Sequence, residues 1–261
     1  MTIRSEDDEL WIRRFRPSPD SAVSLVCLPH AGGSASTYVG FSEALSPAVE
    51  VLAVQYPGRQ DRRWEAPGRT VAELADAVTD ALAARPGRPV ALFGHSMGGA
   101  IAFEVARRLE ERGRAPVALF VSGRRAPSRH RESLGTEAPP DEEVVAELRR
   151  LGGTDAAVLA DAALLRILLP VVRADYRVAG SYRGEPGAAV GCPLTALVGD
   201  RDPETTLEEA GAWEAHTTGG FELRVHPGGH FFLESNRSEV IDVISDVLLP
   251  NGAARPAPTA G

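Results

Sequence analysis

The chain has 261 residues, 43% of them hydrophobic, with 28 Lys or Arg against 36 Asp or Glu and a formal net charge of −8. That length suits one α/β domain with room for a small insertion, and the apolar share is ample for a core. The acidic balance argues against a nucleic-acid binder, and no apolar run approaches the roughly 20 residues that span a membrane.

In chain order, Met1 to Leu10 is charged and does not read as a signal peptide. Short apolar runs, most rich in Val and Leu, predict strands at Val23–Leu28, Val49–Tyr56, Val90–Phe93, Val117–Ser122, Leu194–Val198 and Phe221–His226. Helical patterns fall between them at Tyr38–Leu45, Val71–Ala84, Ala100–Arg112 and Leu207–Ala215, and a last helix is expected at Ser238–Leu248. Strand and helix in alternation imply a mostly parallel central sheet with helices on both faces. The alternation breaks between Arg124 and Pro186. A charged loop to Pro140 leads into helical stretches at Asp141–Leu151, Ala156–Leu168 and Val171–Tyr182. An all-helical insertion at that place reads as a lid over the carboxyl ends of the strands. The expected division is therefore a core of residues 1–123 and 187–249, a helical lid of 124–186, and a disordered Pro/Ala/Gly-rich tail of 250–261. Cys27 and Cys192 read as buried free thiols, which fits a reduced, cytoplasmic setting.

The chemistry concentrates at Gly94-His95-Ser96-Met97-Gly98, which fits G-x-S-x-G between a predicted strand and a predicted helix. In that context the pattern is a nucleophile elbow: a sharp turn lifts the serine hydroxyl clear of the sheet, and the glycines let strand and helix approach. A serine needs a base, and the base needs an orienting acid. Six histidines compete for the role of base: His30, His95, His130, His216, His226 and His230. His230, in His226-Pro-Gly-Gly-His230-Phe-Phe, lies after the last strand, where the order Ser, acid, His places the base. His226 ends the strand, His216 and His130 read as surface residues, and His95 is expected to pack or bond locally. The acid should follow Leu194–Val198, where Asp200 and Asp202 both stand; Asp202, farther past the strand end, is preferred, and Asp200 is expected to brace the loop. The alternative place for the acid, Gly123 to Pro127, holds no carboxylate. Two backbone N–H groups should form the oxyanion hole: Met97, after the nucleophile, and Ala31, in the glycine-rich turn Pro29-His30-Ala31-Gly32-Gly33. No Cys/His cluster has metal-ligand spacing, and neither a metal nor a bound cofactor is expected.

Six segments spread along the chain resemble the free-standing type II thioesterases of polyketide and nonribosomal peptide synthesis. They are Leu28-Pro-His-Ala-Gly-Gly33, Gln55-Tyr-Pro-Gly-Arg59, Gly94-His-Ser-Met-Gly98, Leu169-Pro-Val-Val-Arg-Ala-Asp175, Gly199-Asp-Arg-Asp-Pro203 and Gly228-Gly-His-Phe-Phe232. The elbow is common to many hydrolases; the Tyr-Pro-Gly-Arg and Arg-Ala-Asp pieces are much narrower. The resemblance implies an α/β-hydrolase fold with a helical lid, the triad Ser96–Asp202–His230, and Ala31 and Met97 as oxyanion donors. It also implies a substrate: stalled or wrong acyl groups on the phosphopantetheine arm of an acyl or peptidyl carrier protein. Arg173 and Asp175 are expected to form an ion pair within the lid. Arg124, Arg125, Arg129 and Arg131 form a cluster at its entrance that could steer acidic carriers. A monomer is expected. The competing readings are a general serine esterase or acyl-CoA hydrolase, a chain-releasing thioesterase, and a catalytically idle fold used for binding.

Overall fold

Residues 10–85, 87–131 and 140–249 are described by the computed structural model. The charged start, most of the 124–140 loop beyond Arg131, and the tail from Pro250 lie outside them. Among the described residues, seven strands run β1 (Ile12–Arg13), β2 (Val23–Leu28), β3 (Val49–Val54), β4 (Val90–His95), β5 (Ala118–Ser122), β6 (Leu194–Gly199) and β7 (Phe221–His226). They form one sheet in the order β1-β3-β2-β4-β5-β6-β7. Every neighbouring pair is parallel except β1 with β3. The α/β architecture expected from the alternation is therefore the one observed. β1 is an addition: two residues are too few to show a period.

The helices α1 (Val39–Leu45), α2 (Val71–Ala83) and α3 (Met97–Glu111) alternate with the first strands, while α7 (Leu207–Gly211), α8 (Phe232–Ser235) and α9 (Arg237–Leu248) accompany the last. Successive strand residues point to opposite faces, which separates the core into two layers. Val26 and Leu28 pack with α2 and α3 residues such as Leu74, Val78 and Ile101. Leu25 and Cys27 pack on the other face with Tyr38, Phe41 and Ile244. Cys27 and Cys192 are buried and free, as the sequence suggested.

Among the described residues, the interval between β5 and β6 holds three helices and no strand of the sheet: α4 (Asp141–Leu151), α5 (Ala156–Ala160) and α6 (Ala162–Ser181). They share a small core of their own around Val144, Leu148, Leu159, Leu169 and Val172. The predicted break at Pro170 is wrong. α6 runs through Pro170, and the helix boundary falls instead at Asp161, whose side chain caps α6 by accepting from the N–H groups of Ala163 and Leu164. Pro170 lies on the exposed side, so the carbonyl its ring leaves unpaired can turn to water.

Register levels the carboxyl ends of the strands. Leu28 pairs with Gly94, His95 with Ser122, Ser122 with Leu197, and Gly199 with His226. The loops after β2, β4, β5, β6 and β7 therefore leave the sheet along one edge.

Candidate active site

Ser96 sits between β4 and α3 with φ 54° and ψ −117°, a backbone conformation that L side chains rarely adopt. The flanking glycines make it attainable. A Cβ on Gly94 would stand 2.1 Å from the Gly98 carbonyl oxygen, and one on Gly98 would stand 2.0 Å from the Leu28 carbonyl oxygen. The turn is then locked: Ser96 N–H donates to the Ser122 carbonyl at 2.8 Å, and Gly99 N–H donates to the Ser96 carbonyl at 2.9 Å.

The structure brings Ser96, His230 and Asp202 into one hydrogen-bonded chain. His230 Nε2 lies 3.0 Å from Ser96 Oγ, and His230 Nδ1 lies 3.0 and 2.9 Å from the two Asp202 oxygens. Both side chains are buried, 4% and 0% exposed. Against a carboxylate, Nδ1 carries the proton and donates it, leaving Nε2 to accept from the serine hydroxyl. Asp202 Oδ1 also accepts the Glu204 N–H at 2.8 Å, which fixes the carboxylate plane. Asp200 does something else: it accepts the Gly228 N–H at 2.8 Å, and that bond holds its carboxyl below the usual range. It thereby braces the loop that carries His230. Gly199 lets the two loops touch, since a Cβ there would meet the Gly229 carbonyl oxygen at 2.4 Å.

The other histidines separate. His226 ends β7 and stacks on Phe232, centroids 5.3 Å apart and 9° from parallel. His95 Nδ1 is 3.0 Å from Ser122 Oγ, and its ring lies 5.1 Å from that of His230. His130 is exposed. His216 corrects the surface expectation: it is 4% exposed, with Nδ1 2.7 Å from the Ala188 carbonyl and Nε2 2.9 Å from Ser128 Oγ. The 3-10 turn Ala212–His216 tucks it against Phe103 and Trp213, a contact that local sequence does not announce. Gly123 was not singled out from sequence. Its φ is +57°, and a Cβ there would lie 2.7 Å from His95 Cε1 and 3.3 Å from His230 Cε1. A glycine directly after a strand end was the available signal.

Met97 is the first residue of α3, so its N–H has no partner one turn back along the helix. Ala31 lies in the turn after β2, where Gly33 N–H donates to the His30 carbonyl at 3.0 Å and Gly32 N–H donates to Asp175 Oδ2 at 2.7 Å. Asp175 is not paired with Arg173. Residues two apart on a helix do not face each other; Asp175 bonds to Arg59, and Arg173 pairs with Asp141 at 2.6 Å. The expected basic cluster is also neutralised: Arg125 pairs with Glu204, Arg129 with Glu208 and Arg131 with Glu209. Arg124 donates inward to the Ala179 carbonyl. Beside the turn after β2, a cavity of about 610 Å³ opens between His30, Gly32, Phe41, Leu168, Val172 and Arg237. Among the described residues, no group of three or more His, Cys, Asp or Glu could hold a metal ion, and no helix is long and apolar enough to cross a membrane.

A family model described as a thioesterase domain matches residues 23–248. The chain belongs to the thioesterase domain family. It is similar to the thioesterase PikA5 of Streptomyces venezuelae, 52% identical over 97% of this chain and 90% of the relative. Among solved structures it resembles BorB, a type II thioesterase from the borrelidin biosynthetic cluster, with TM-score 0.86 and 51% identity over 92% of this chain and 98% of that one. It also resembles YbtT, a type II thioesterase from the yersiniabactin NRPS/PKS biosynthetic pathway, with TM-score 0.82 and 28% identity over 94% of this chain and 100% of that one. The sheet and helices are accordingly those of an α/β-hydrolase thioesterase, a hydrolase acting on thioester bonds.

Proposed function

We propose that this thioesterase removes aberrant or stalled acyl groups from the phosphopantetheine arm of acyl or peptidyl carrier proteins in polyketide or nonribosomal peptide synthesis. The observation that carries the chemical reading is the hydrogen-bonded order Ser96, His230, Asp202. His230 Nε2 takes the Ser96 proton as Oγ attacks the thioester carbonyl carbon. The N–H groups of Ala31 and Met97 hold the oxyanion of the tetrahedral intermediate. The C–S bond breaks, the thiolate leaves with the proton from His230, and an acyl-serine remains. Water, deprotonated by His230, attacks that ester; Ser96 recovers its proton and the carboxylic acid departs. Asp202 holds the Nδ1–H tautomer and stabilises the imidazolium in both halves. Residues 124–186 act as a lid on a core of 1–123 and 187–249. The similarity to YbtT, whose pathway is of the NRPS/PKS type, supports a carrier-bound substrate. A monomer in the cytoplasm is the working state.

The test is acyl release from a phosphopantetheinylated carrier loaded with a short acyl group, with the matching acyl-CoA as competitor. Ser96→Ala is expected to lower turnover by roughly 10⁴ to 10⁶. Release favouring the carrier, and abolished by that change, is the expected result. Activity on acyl-CoA or simple esters alone would reassign the substrate while keeping Ser96 as nucleophile. An active Ser96→Ala protein would overturn the mechanism.

A further inference from the structure

The two narrowest sequence segments, Gln55–Arg59 and Leu169–Asp175, supply none of the triad, yet they meet. Arg59 follows β3 and Asp175 lies on α6, 116 residues away, and their side chains are 6% and 2% exposed. The Asp175 Oδ2 that accepts from Arg59 also accepts the Gly32 N–H at 2.7 Å. Burial raises the Asp175 carboxyl, against the opposing pull of Arg59 and of the Gly32 N–H. Arg59 is itself anchored, donating to the Pro57 carbonyl at 2.8 Å and lying over the Tyr56 ring. A buried ion pair is weak evidence of a contribution to stability, because desolvating two charges offsets their attraction. Here Arg59 Nε is buried with no hydrogen-bond partner among the described residues, which adds to the cost. The pair therefore calls for a reason other than holding the fold.

The backbone of the turn supplies one. The His30 carbonyl and the Ala31 N–H share one peptide plane and point in opposite directions. Gly33 N–H holds that carbonyl at 3.0 Å, and so aims the Ala31 N–H the other way. The next plane, which carries the Gly32 N–H, is held by Asp175. With both planes flanking Ala31 fixed, its N–H has one direction. Gly32 has φ +78°, and a Cβ there would lie 2.9 Å from Val172 Cγ2, so α6 rests directly on the turn that Asp175 holds.

We propose that Arg59 and Asp175 are positioning residues for the oxyanion hole, and that the seating of helix α6 and the aiming of the Ala31 N–H are a single event. When α6 lifts, the Gly32 N–H loses its acceptor and the turn relaxes; hydrolysis is held off until the helix returns. This rests on the reading of Ala31 as an oxyanion donor in an acyl-serine mechanism.

The experiment compares wild type, Asp175→Ala, Asp175→Asn, the double variant Arg59→Met/Asp175→Leu, and Ser96→Ala. The readouts are kcat and KM on a small acyl thioester, the Ki of an alkyl boronic acid whose tetrahedral serine adduct loads the oxyanion hole, and the Kd of a non-hydrolysable thioether analogue. Asp175→Ala should lower kcat by roughly 10² to 10³, the loss typical of one oxyanion donor, with KM within about threefold. Boronate affinity should fall in step while thioether binding stays put. Asp175→Asn keeps an acceptor for the Gly32 N–H and should recover part of the loss. If Asp175→Ala fails to fold because Arg59 is left buried and unpaired, the double variant removes both charges and should show the same split. Near-wild-type kcat and boronate affinity in either variant, or equal weakening of boronate and thioether, would overturn the positioning role alone. An active Ser96→Ala would overturn the acyl-serine reading and the positioning role with it.

Discussion

His30, His95 and His230 crowd together, with ring centroids 5.9 Å apart for the first pair and 5.1 Å for the second, and Phe231 touches all three. Of these only His230 meets a carboxylate among the described residues. Burial, then the charges of His230 and Arg59, push His30 down to about 4; burial drives His95 down as well. A histidine kept neutral when folded must give up a proton that the unfolded chain would bind. The stability is therefore complete above the ordinary value of 6.5 and is lost as pH falls from there to about 4. His30 contributes on the order of 3 kcal/mol to that loss. Urea midpoints should drop across this window, and His30→Phe should flatten the drop; an unchanged slope would count against it. At this scale the sequence was most legible where a residue is tied to a turn. Ser96, Asp200, Asp202 and His230 each follow a strand end, so chain order alone placed them within reach of one another. His216 was misread, and Asp175 was paired with Arg173 instead of Arg59, because their true partners lie far away in the chain, at Ala188 and Ser128 for His216 and at Arg59 and Gly32 for Asp175.

Helix α3 can follow β4 so closely only because two glycines lack side chains. Gly98→Ala would set a Cβ 2.0 Å from the Leu28 carbonyl oxygen, backbone that cannot swing aside. Overpacking of this kind costs about 1–3 kcal/mol or more, so Tm should fall by at least about 2 °C in a chain of this length, and kcat should fall with it as the elbow shifts. A thermal melt matching wild type would mean that the strand and helix separate freely. Asp161→Ala tests a milder element effect. It removes the cap of α6 and should cost about 1 kcal/mol, seen as faster amide exchange in the first turn of that helix. The strands were legible almost to the residue because a buried parallel strand is a short apolar run between polar turns. α6 was not, because proline usually ends a helix, and only the exposed side on which Pro170 lies lets this one continue. β1 is held by its antiparallel pairing to β3, which no local pattern encodes.

The whole molecule carries a formal charge of −8, and the arginines of the 124–131 segment are mostly paired with glutamates on and beside α7. An acidic carrier thus meets like charge at long range. Raising salt from about 0.01 to 0.15 M shortens the screening length from about 30 to 8 Å. kcat/KM for such a carrier should therefore hold or rise across that range, while a small thioester is indifferent; a steep fall would reveal a basic docking patch. The overall architecture was legible because alternation of strand and helix leaves few topologies. The helical insertion was legible in outline, but its grip on the turn after β2 was not. That grip limits how such enzymes can be recombined. A segment spanning α4 to α6 looks like a cassette, spliced in between β5 and β6 and free to be exchanged for one with another acyl preference. It is not self-contained: it brings a carboxylate that needs the guanidinium of Arg59, encoded upstream of the splice. A chimera made without that arginine would bury an unpaired charge against its own turn after β2, so donor and host must be matched at position 59 before any preference is transplanted.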